Sequence, residues 1–123
     1  MKKILIVEDE KDIAMAMGTR LRALGFTVVN AYDALGGVSQ AQRELPDLVL
    51  LDLSMPAGGG LRVAERVRAL PKTATTPIIF LTASKDPEMR EKAMGHAPFA
   101  FLEKPYDPQV LVARVQEALG VVA

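Results

Sequence analysis

Five short apolar runs, rich in β-branched residues, alternate along the chain with five longer stretches whose apolar residues recur at helical spacing. The runs are KKILIV (2–7), FTVVNA (26–31), DLVLLDL (47–53), PIIFLT (77–82) and AFLEK (100–104). Several are apolar throughout rather than alternating, which is how strands covered on both faces of a parallel sheet read. Ile13, Met17, Leu21 and Leu24 predict a first helix that stops at Gly25. A second, near Asp33 to Glu44, carries Leu35, Val38, Ala41 and Leu45. Gly36 and Gly37 inside it each cost about 1 kcal/mol relative to Ala and blur where it starts. Val63, Val67 and Leu70 mark a third helix ending before Pro71. Asp86-Pro87 and Asp107-Pro108 each pair an N-cap with Pro at the first helical position, opening the fourth and fifth helices. Leu111, Val115 and Ala118 give the last one its apolar stripe.

This βαβαβαβαβα order, with short connections, predicts an α/β fold of the flavodoxin-like kind. The expected architecture is a (βα)5 three-layer sandwich with right-handed crossovers around a parallel five-stranded sheet in the order 2-1-3-4-5. No internal repeat, low-complexity stretch or linker interrupts the pattern, so residues 1–123 read as one domain, and the closing GVVA leaves no room for a second. A chain of 123 residues, half of it hydrophobic, can bury a core without metal or disulfide staples. The lack of Cys removes thiolate catalysis, Fe–S clusters and Cys-based zinc sites, and a single histidine, His96, rules out a His-rich metal site. Fifteen basic residues balance fifteen acidic ones, so no global field draws the chain to nucleic acid or an anionic membrane. The apolar run Ile4 to Val7 is too short for a secretory signal and runs straight into Glu8, Asp9 and Glu10. No stretch approaches the roughly 18 apolar residues of a membrane span, and the expected location is the cytoplasm.

In an open sheet of this order a ligand sits beyond the carboxyl ends of the strands, where the strand order reverses. The first strand ends in Glu8-Asp9, the third in Asp52, the fourth in Thr82 and the fifth in Lys104. These ends are neighbours in the predicted sheet, so three carboxylates, a hydroxyl and an ammonium converge on one patch. Two carboxylates about 5 Å apart, at an effective dielectric near 20, repel by roughly 3 kcal/mol. Lys104 offsets part of this and leaves two net negative charges, which one divalent cation neutralises. Mg²⁺ is the natural candidate, since it takes one or two carboxylates together with waters and phosphate oxygens. Any single strand-end acid is more often a solvated cap, with Glu8 to Lys11 then simply opening the first helix. Four strand ends carrying complementary chemistry predict a site for a divalent cation and a phosphate.

The segments VEDE, LLDLSMPAGGG, IIFLTAS and FLEKPYD resemble, in order and spacing, the signature motifs of the receiver domain of bacterial two-component response regulators. The resemblance covers essentially the whole chain, an extent similar to that of a single-domain chemotaxis regulator. It implies that Asp52 is the phosphoacceptor, forming an aspartyl phosphate by attack on a phosphohistidine of a sensor histidine kinase or histidine phosphotransferase. It implies that Asp9 binds Mg²⁺ directly and Glu8 mostly through water, with Asp52 and the backbone carbonyl of Ser54 completing the protein ligands. Lys104 then pairs with the acceptor carboxylate and afterwards with the phosphoryl group, and the Thr82 hydroxyl bonds a phosphoryl oxygen. Ser54 and Ser84 occupy positions at which the family tunes the lifetime of the phosphorylated state. Phosphoryl transfer asks a protein mainly for positioning and charge neutralisation, which Mg²⁺ and Lys104 would supply. By the same resemblance, the charge added with the phosphoryl group draws Thr82 inward and opens space for Phe101, the family's switch aromatic. The face made by the fourth helix, fifth strand and fifth helix would then repack for a downstream protein. Phe101 reads equally well as a core aromatic on an edge strand. Lys104-Pro105 matches the family's cis peptide. Such a domain catalyses its own phosphorylation and slow autodephosphorylation rather than acting as a turnover enzyme. It contacts neither nucleic acid nor membrane directly, and is a monomer or a phosphorylation-dependent dimer.

Other signals weigh less. Gly58-Gly59-Gly60 reads as a flexible turn, because no Lys-Ser/Thr follows as in a phosphate cradle, and only Gly60 belongs to the family pattern. His96 reads as a solvated residue near the end of the fourth helix, and the six Met residues as core fillers. Where the family carries Gly-Ala before the switch strand, this chain has Ala97-Pro98 followed by Phe99 and Ala100. Pro98 biases Ala97 towards extended geometry, and an exposed Phe99 would anchor a partner. Two other functions suit the fold. One is a receiver-like module that binds its partner without phosphorylation, against which the retention of all five site residues argues. The other is a flavodoxin-like cofactor binder, which needs a Ser/Thr/Gly-rich phosphate loop where this chain has EDEKD.

Overall fold

The computed structural model of the chain describes residues 1–121. The predicted runs form β1 (Lys3–Val7), β2 (Thr27–Ala31), β3 (Leu48–Asp52), β4 (Ile78–Thr82) and β5 (Ala100–Glu103). The helices are α1 (Lys11–Ala23), α2 (Ala34–Glu44), α3 (Gly59–Ala69), α4 (Pro87–Met94) and α5 (Pro108–Leu119), with a 3₁₀ turn at Pro56–Gly58 leading into α3. All strand pairs are parallel and the order is β2-β1-β3-β4-β5, as predicted. Each parallel pair needs a crossover, and here every crossover carries a helix, so both faces of the sheet are covered. This is why the central runs are apolar without alternation. Ile4, Ile6, Leu48, Leu50, Ile79 and Leu81 pack towards α1 and α5, while Leu5, Val7, Val49, Leu51, Ile78 and Phe80 pack towards α2, α3 and α4.

Three aspartates set helix starts. The carboxylates of Asp33, Asp86 and Asp107 accept the N–H groups of Gly36 (2.6 Å), Glu88 (3.0 Å) and Gln109 (2.8 Å), each cap contributing about 1 kcal/mol. The Asp33 cap fixes the start of α2 that the two glycines left open. Gly37, read from sequence as a weak point, is a packing position. A Cβ there would meet Val7 at 3.0 Å and Val63 at 3.2 Å, so its absence lets α2 lie close to β1 and α3.

Several expected stripe residues lie outside the core. Leu24, Leu35 and Leu45 are 49%, 84% and 45% exposed. Leu24 and Leu45 fall at the C-caps of α1 and α2, Leu45 in the left-handed region at φ 46°, and Leu35 stands in the first turn of α2, on its outer side. The interior of α1 is instead made by Ala14, Met17, Gly18 and Leu21, and α5 buries Leu119 where Ala118 was expected to complete the stripe. The methionines are not all core fillers either. Met17 and Met55 are buried and Met89 is half-buried, but Met1, Met15 and Met94 are exposed.

The turn after α4 departs from the expectation for Ala97, which adopts φ 52° rather than an extended conformation. The N–H groups of His96 and Ala97 return to the carbonyls of Ala93 (3.0 Å) and Met94 (3.1 Å). The Arg68 guanidinium, reaching across from α3, donates to the carbonyls of His96, Ala97, Ala74 and Thr76. These bonds outweigh the bias that Pro98 places on its neighbour. His96 is accordingly half-buried rather than solvated. Phe99, just before β5, is 47% exposed. No helix among the described residues is long and apolar enough to cross a membrane.

Candidate active site

Because all strands run in one direction, their carboxyl ends share one edge of the sheet. Val7 pairs with Leu51 and Thr82 with Glu103, so one step further Glu8 stands beside Asp52 and Lys104 follows Thr82. The Lys104 N–H donates to the Thr82 carbonyl at 2.7 Å and extends the ladder by a residue. Glu8, Asp9 and Asp52 present carboxylate oxygens that all lie within 4.8 Å of one another. Glu8 and Asp52 are buried, at 1% and 2% exposure, whereas Asp9 faces solvent.

Lys104 Nζ lies 2.9 Å from Glu8 Oε1 and 3.5 Å from Asp52 Oδ2. The lysine expected to pair with the acceptor carboxylate therefore bridges two acids and sits closer to Glu8. Asp52 accepts a hydrogen bond from the Ser54 N–H at 2.8 Å on its other oxygen, Oδ1. Burial pushes the Glu8 carboxyl up to about 7; the neighbouring Asp52 carboxylate adds to this, and the hydrogen bond from Lys104 opposes it. Burial alone would lower Lys104, but its hydrogen bond to Glu8 and the charges of Asp52 and Glu8 outweigh that and raise it, so the ammonium form is secure. Burial also raises the Tyr106 phenol beside them.

A set of three carboxylates suits a hard cation. One ammonium against three acids leaves an excess of negative charge on closely spaced oxygens, which fits Mg²⁺ and not a metal that seeks sulfur or imidazole. Asp9, the member of the set that is open to solvent, is the one most accessible to an arriving ion.

Thr82 is 1% exposed. Its hydroxyl oxygen accepts the Ser84 N–H at 2.9 Å and lies 3.3 Å from Ser54 Oγ, which accepts the Ala83 N–H at 2.9 Å. The family resemblance implies a ligand carbonyl and a lifetime position for Ser54, but not this side-chain contact. Its partners lie almost thirty residues away on another loop, and no local pattern marks them. Phe101 is half-buried, with its ring centroid 6.3 Å from that of Phe80. A cavity of about 240 Å³, lined in part by Thr82, Ser84, Met89, Arg90 and Phe101, separates this aromatic from the site. Phe101 thus packs against the core and also lines this cavity. Arg90, which no motif marks, sets its guanidinium 4.5 Å from the Phe101 ring centre and bonds Glu103 at 3.0 Å. Of the three consecutive glycines, Gly60 has no room for a side chain, since a Cβ there would strike the Asp52 carbonyl oxygen and come within 2.8 Å of the Leu53 Cα, while Gly58 takes a left-handed φ of 69°.

The comparisons with known proteins agree with this geometry. The family model for the response regulator receiver domain matches residues 4–116. The response regulator ArlR of Staphylococcus saprophyticus is 34% identical over 119 residues, covering 97% of this chain and 53% of that protein. The chain spans about half the length of the curated relatives it matches. Among solved structures, the chemotaxis protein CheY4 of Vibrio cholerae superposes with a TM-score of 0.88 at 28% identity, covering 97% of this chain and 99% of that one. The receiver domain of the sensor histidine kinase PA1611 of Pseudomonas aeruginosa, solved with a magnesium ion coordinated in its active site cleft, gives a TM-score of 0.87 at 29% identity over 97% of this chain and 98% of that one. With the fold, the acidic edge and the match over nearly its whole length in agreement, the chain belongs to the response regulator receiver domain family.

Proposed function

We propose that this domain accepts a phosphoryl group on Asp52 from a phosphohistidine of a sensor histidine kinase or histidine phosphotransferase, with Mg²⁺ held by Asp9, Asp52, Glu8 through water and the Ser54 carbonyl. The observation that carries the proposal is the convergence of Glu8, Asp9 and Asp52 within 4.8 Å, with Lys104 bridging two of them. An Asp52 carboxylate oxygen attacks phosphorus. The P–O bond forms as the P–N bond breaks, and the imidazole leaves with the bonding pair and takes up a proton. Mg²⁺, when bound, neutralises charge on the transferred oxygens. Lys104 stays charged and offers its ammonium to the phosphoryl group, and the Ser54 N–H orients the carboxylate for attack. Hydrolysis of the resulting acyl phosphate resets the domain, which makes it a self-modifying switch rather than a turnover enzyme.

The output surface is the face formed by α4, β5 and α5. Phe101 adjoins the cavity beside Thr82, Arg90 covers its outer side, and Phe99 is exposed before the same strand. This face would receive a downstream protein or a second phosphorylated copy. The test is intact mass after incubation with acetyl phosphate, with and without Mg²⁺, on the native chain and on Asp52→Ala. A Mg²⁺-dependent adduct of one phosphoryl group, absent from Asp52→Ala, supports the proposal. No adduct on the native chain with Mg²⁺ present overturns it and favours a module that recognises its partner without phosphorylation.

A further inference from the structure

The Ser54 side chain ties the loop after β3 to the loop after β4. Its Oγ accepts the Ala83 N–H at 2.9 Å and lies 3.3 Å from the Thr82 hydroxyl, while its own N–H holds Asp52 Oδ1 at 2.8 Å. The bonding continues outward. The Ser84 N–H donates to Thr82 Oγ1 at 2.9 Å, the Asp86 N–H to Ser84 Oγ at 3.1 Å, and the Glu88 N–H to Asp86 Oδ1 at 3.0 Å. A continuous series of hydrogen-bonded residues therefore runs from Asp52 to the first turn of α4. Ser54 is exposed, so its hydroxyl is placed by these bonds and not by packing.

An amide carries one hydrogen. While Ser54 Oγ accepts it, the Ala83 N–H is not free for another acceptor, and the neighbouring Thr82 hydroxyl oxygen, which accepts the Ser84 N–H and lies against Ser54 Oγ, is shielded from water. Both groups follow Leu81, the strand partner of Asp52. We infer that Ser54 is a positioning residue whose hydroxyl clamps the β4–α4 loop to the acceptor loop at rest, and that a phosphoryl group on Asp52 gains the Ala83 N–H only by displacing it. The inference rests on Asp52 being the phosphoacceptor. It gives the switch a defined resting contact, and breaking that contact releases the strand-end loop that leads into α4.

The experiment compares the native chain with Ser54→Ala, which removes the hydroxyl and keeps the backbone, and Ser54→Thr, which keeps the hydroxyl at an exposed position. Amide exchange at Ala83 is measured without any phosphoryl group. Titration with trifluoroberyllate and Mg²⁺, as the phosphoryl mimic, is followed at the Ala83 and Glu88 amides by NMR. The expected result is faster Ala83 exchange in Ser54→Ala and about fivefold tighter binding of the mimic, the worth of one net hydrogen bond no longer given up. Ser54→Thr should behave as the native chain in both. Unchanged Ala83 exchange in Ser54→Ala, or mimic binding that is equal to or weaker than native, overturns the clamp. If no chain, native included, binds the mimic, the phosphoacceptor reading of Asp52 fails instead, and the exchange comparison still decides whether Ser54 holds the loop.

Discussion

Replacing Glu8 by Gln removes a carboxylate that is 1% exposed and lies against both Asp52 and Lys104. In the folded chain, burial and then the hydrogen bond with Asp52 raise Glu8 from its ordinary 4.5 to about 7, against the pull of Lys104. The folded state therefore binds this proton more tightly than the unfolded state. The stabilisation it brings is complete below pH 4.5 and is lost as pH rises through 7. At about 1.36 kcal/mol per tenfold change in acidity, this amounts to roughly 3 kcal/mol between pH 4.5 and pH 8. Urea unfolding at a series of pH values, with chelator present to remove Mg²⁺, measures it. The stability of the native chain relative to Glu8→Gln should fall by that amount across the window, a change of roughly 1–3 M in the difference between midpoints. Adding Mg²⁺ should flatten the fall, because the cation takes the place of the proton in offsetting the carboxylates. If the two chains keep a constant difference from pH 4.5 to pH 8 without metal, Glu8 is not the strained carboxylate that its burial implies.

Three further substitutions test other parts of the structure. Ala97→Gly should stabilise the fold by up to about 1 kcal/mol, as relief of the left-handed φ of 52° exceeds the entropy gained by the unfolded chain; a lower thermal midpoint would contradict it. Gly60→Ala should destabilise by about 2 kcal/mol or more, since the new Cβ meets the Leu53 backbone at 2.8 Å beside Asp52, and a denaturation midpoint matching native would show that the loop yields freely. Arg90 and Phe101 should show a coupling of about 0.5–1 kcal/mol in a double-mutant cycle of Arg90→Ala and Phe101→Leu, with zero coupling removing Arg90 as a cover for the aromatic.

The chain's own pattern determined the architecture and most of the site. Strands apolar on both faces required a covered parallel sheet, and Asp-Pro pairs marked the starts of α4 and α5. The rule that ligands gather at strand ends then places Glu8, Asp9, Asp52, Thr82 and Lys104 on one edge from strand order alone. These features are local or follow from strand order, so one dimension suffices to read them. What the tertiary structure decided were contacts whose partners are distant in sequence. Lys104 lies 2.9 Å from Glu8 and 3.5 Å from Asp52, a preference between two equally buried carboxylates that strand order does not specify. Ser54 meets Ala83, Arg90 covers Phe101, and Arg68 gathers four carbonyls that hold Ala97 in a conformation its following proline disfavours. Leu24, Leu35 and Leu45 have the spacing of core residues yet lie outside it, since helical periodicity names a face but not where the covering neighbour ends.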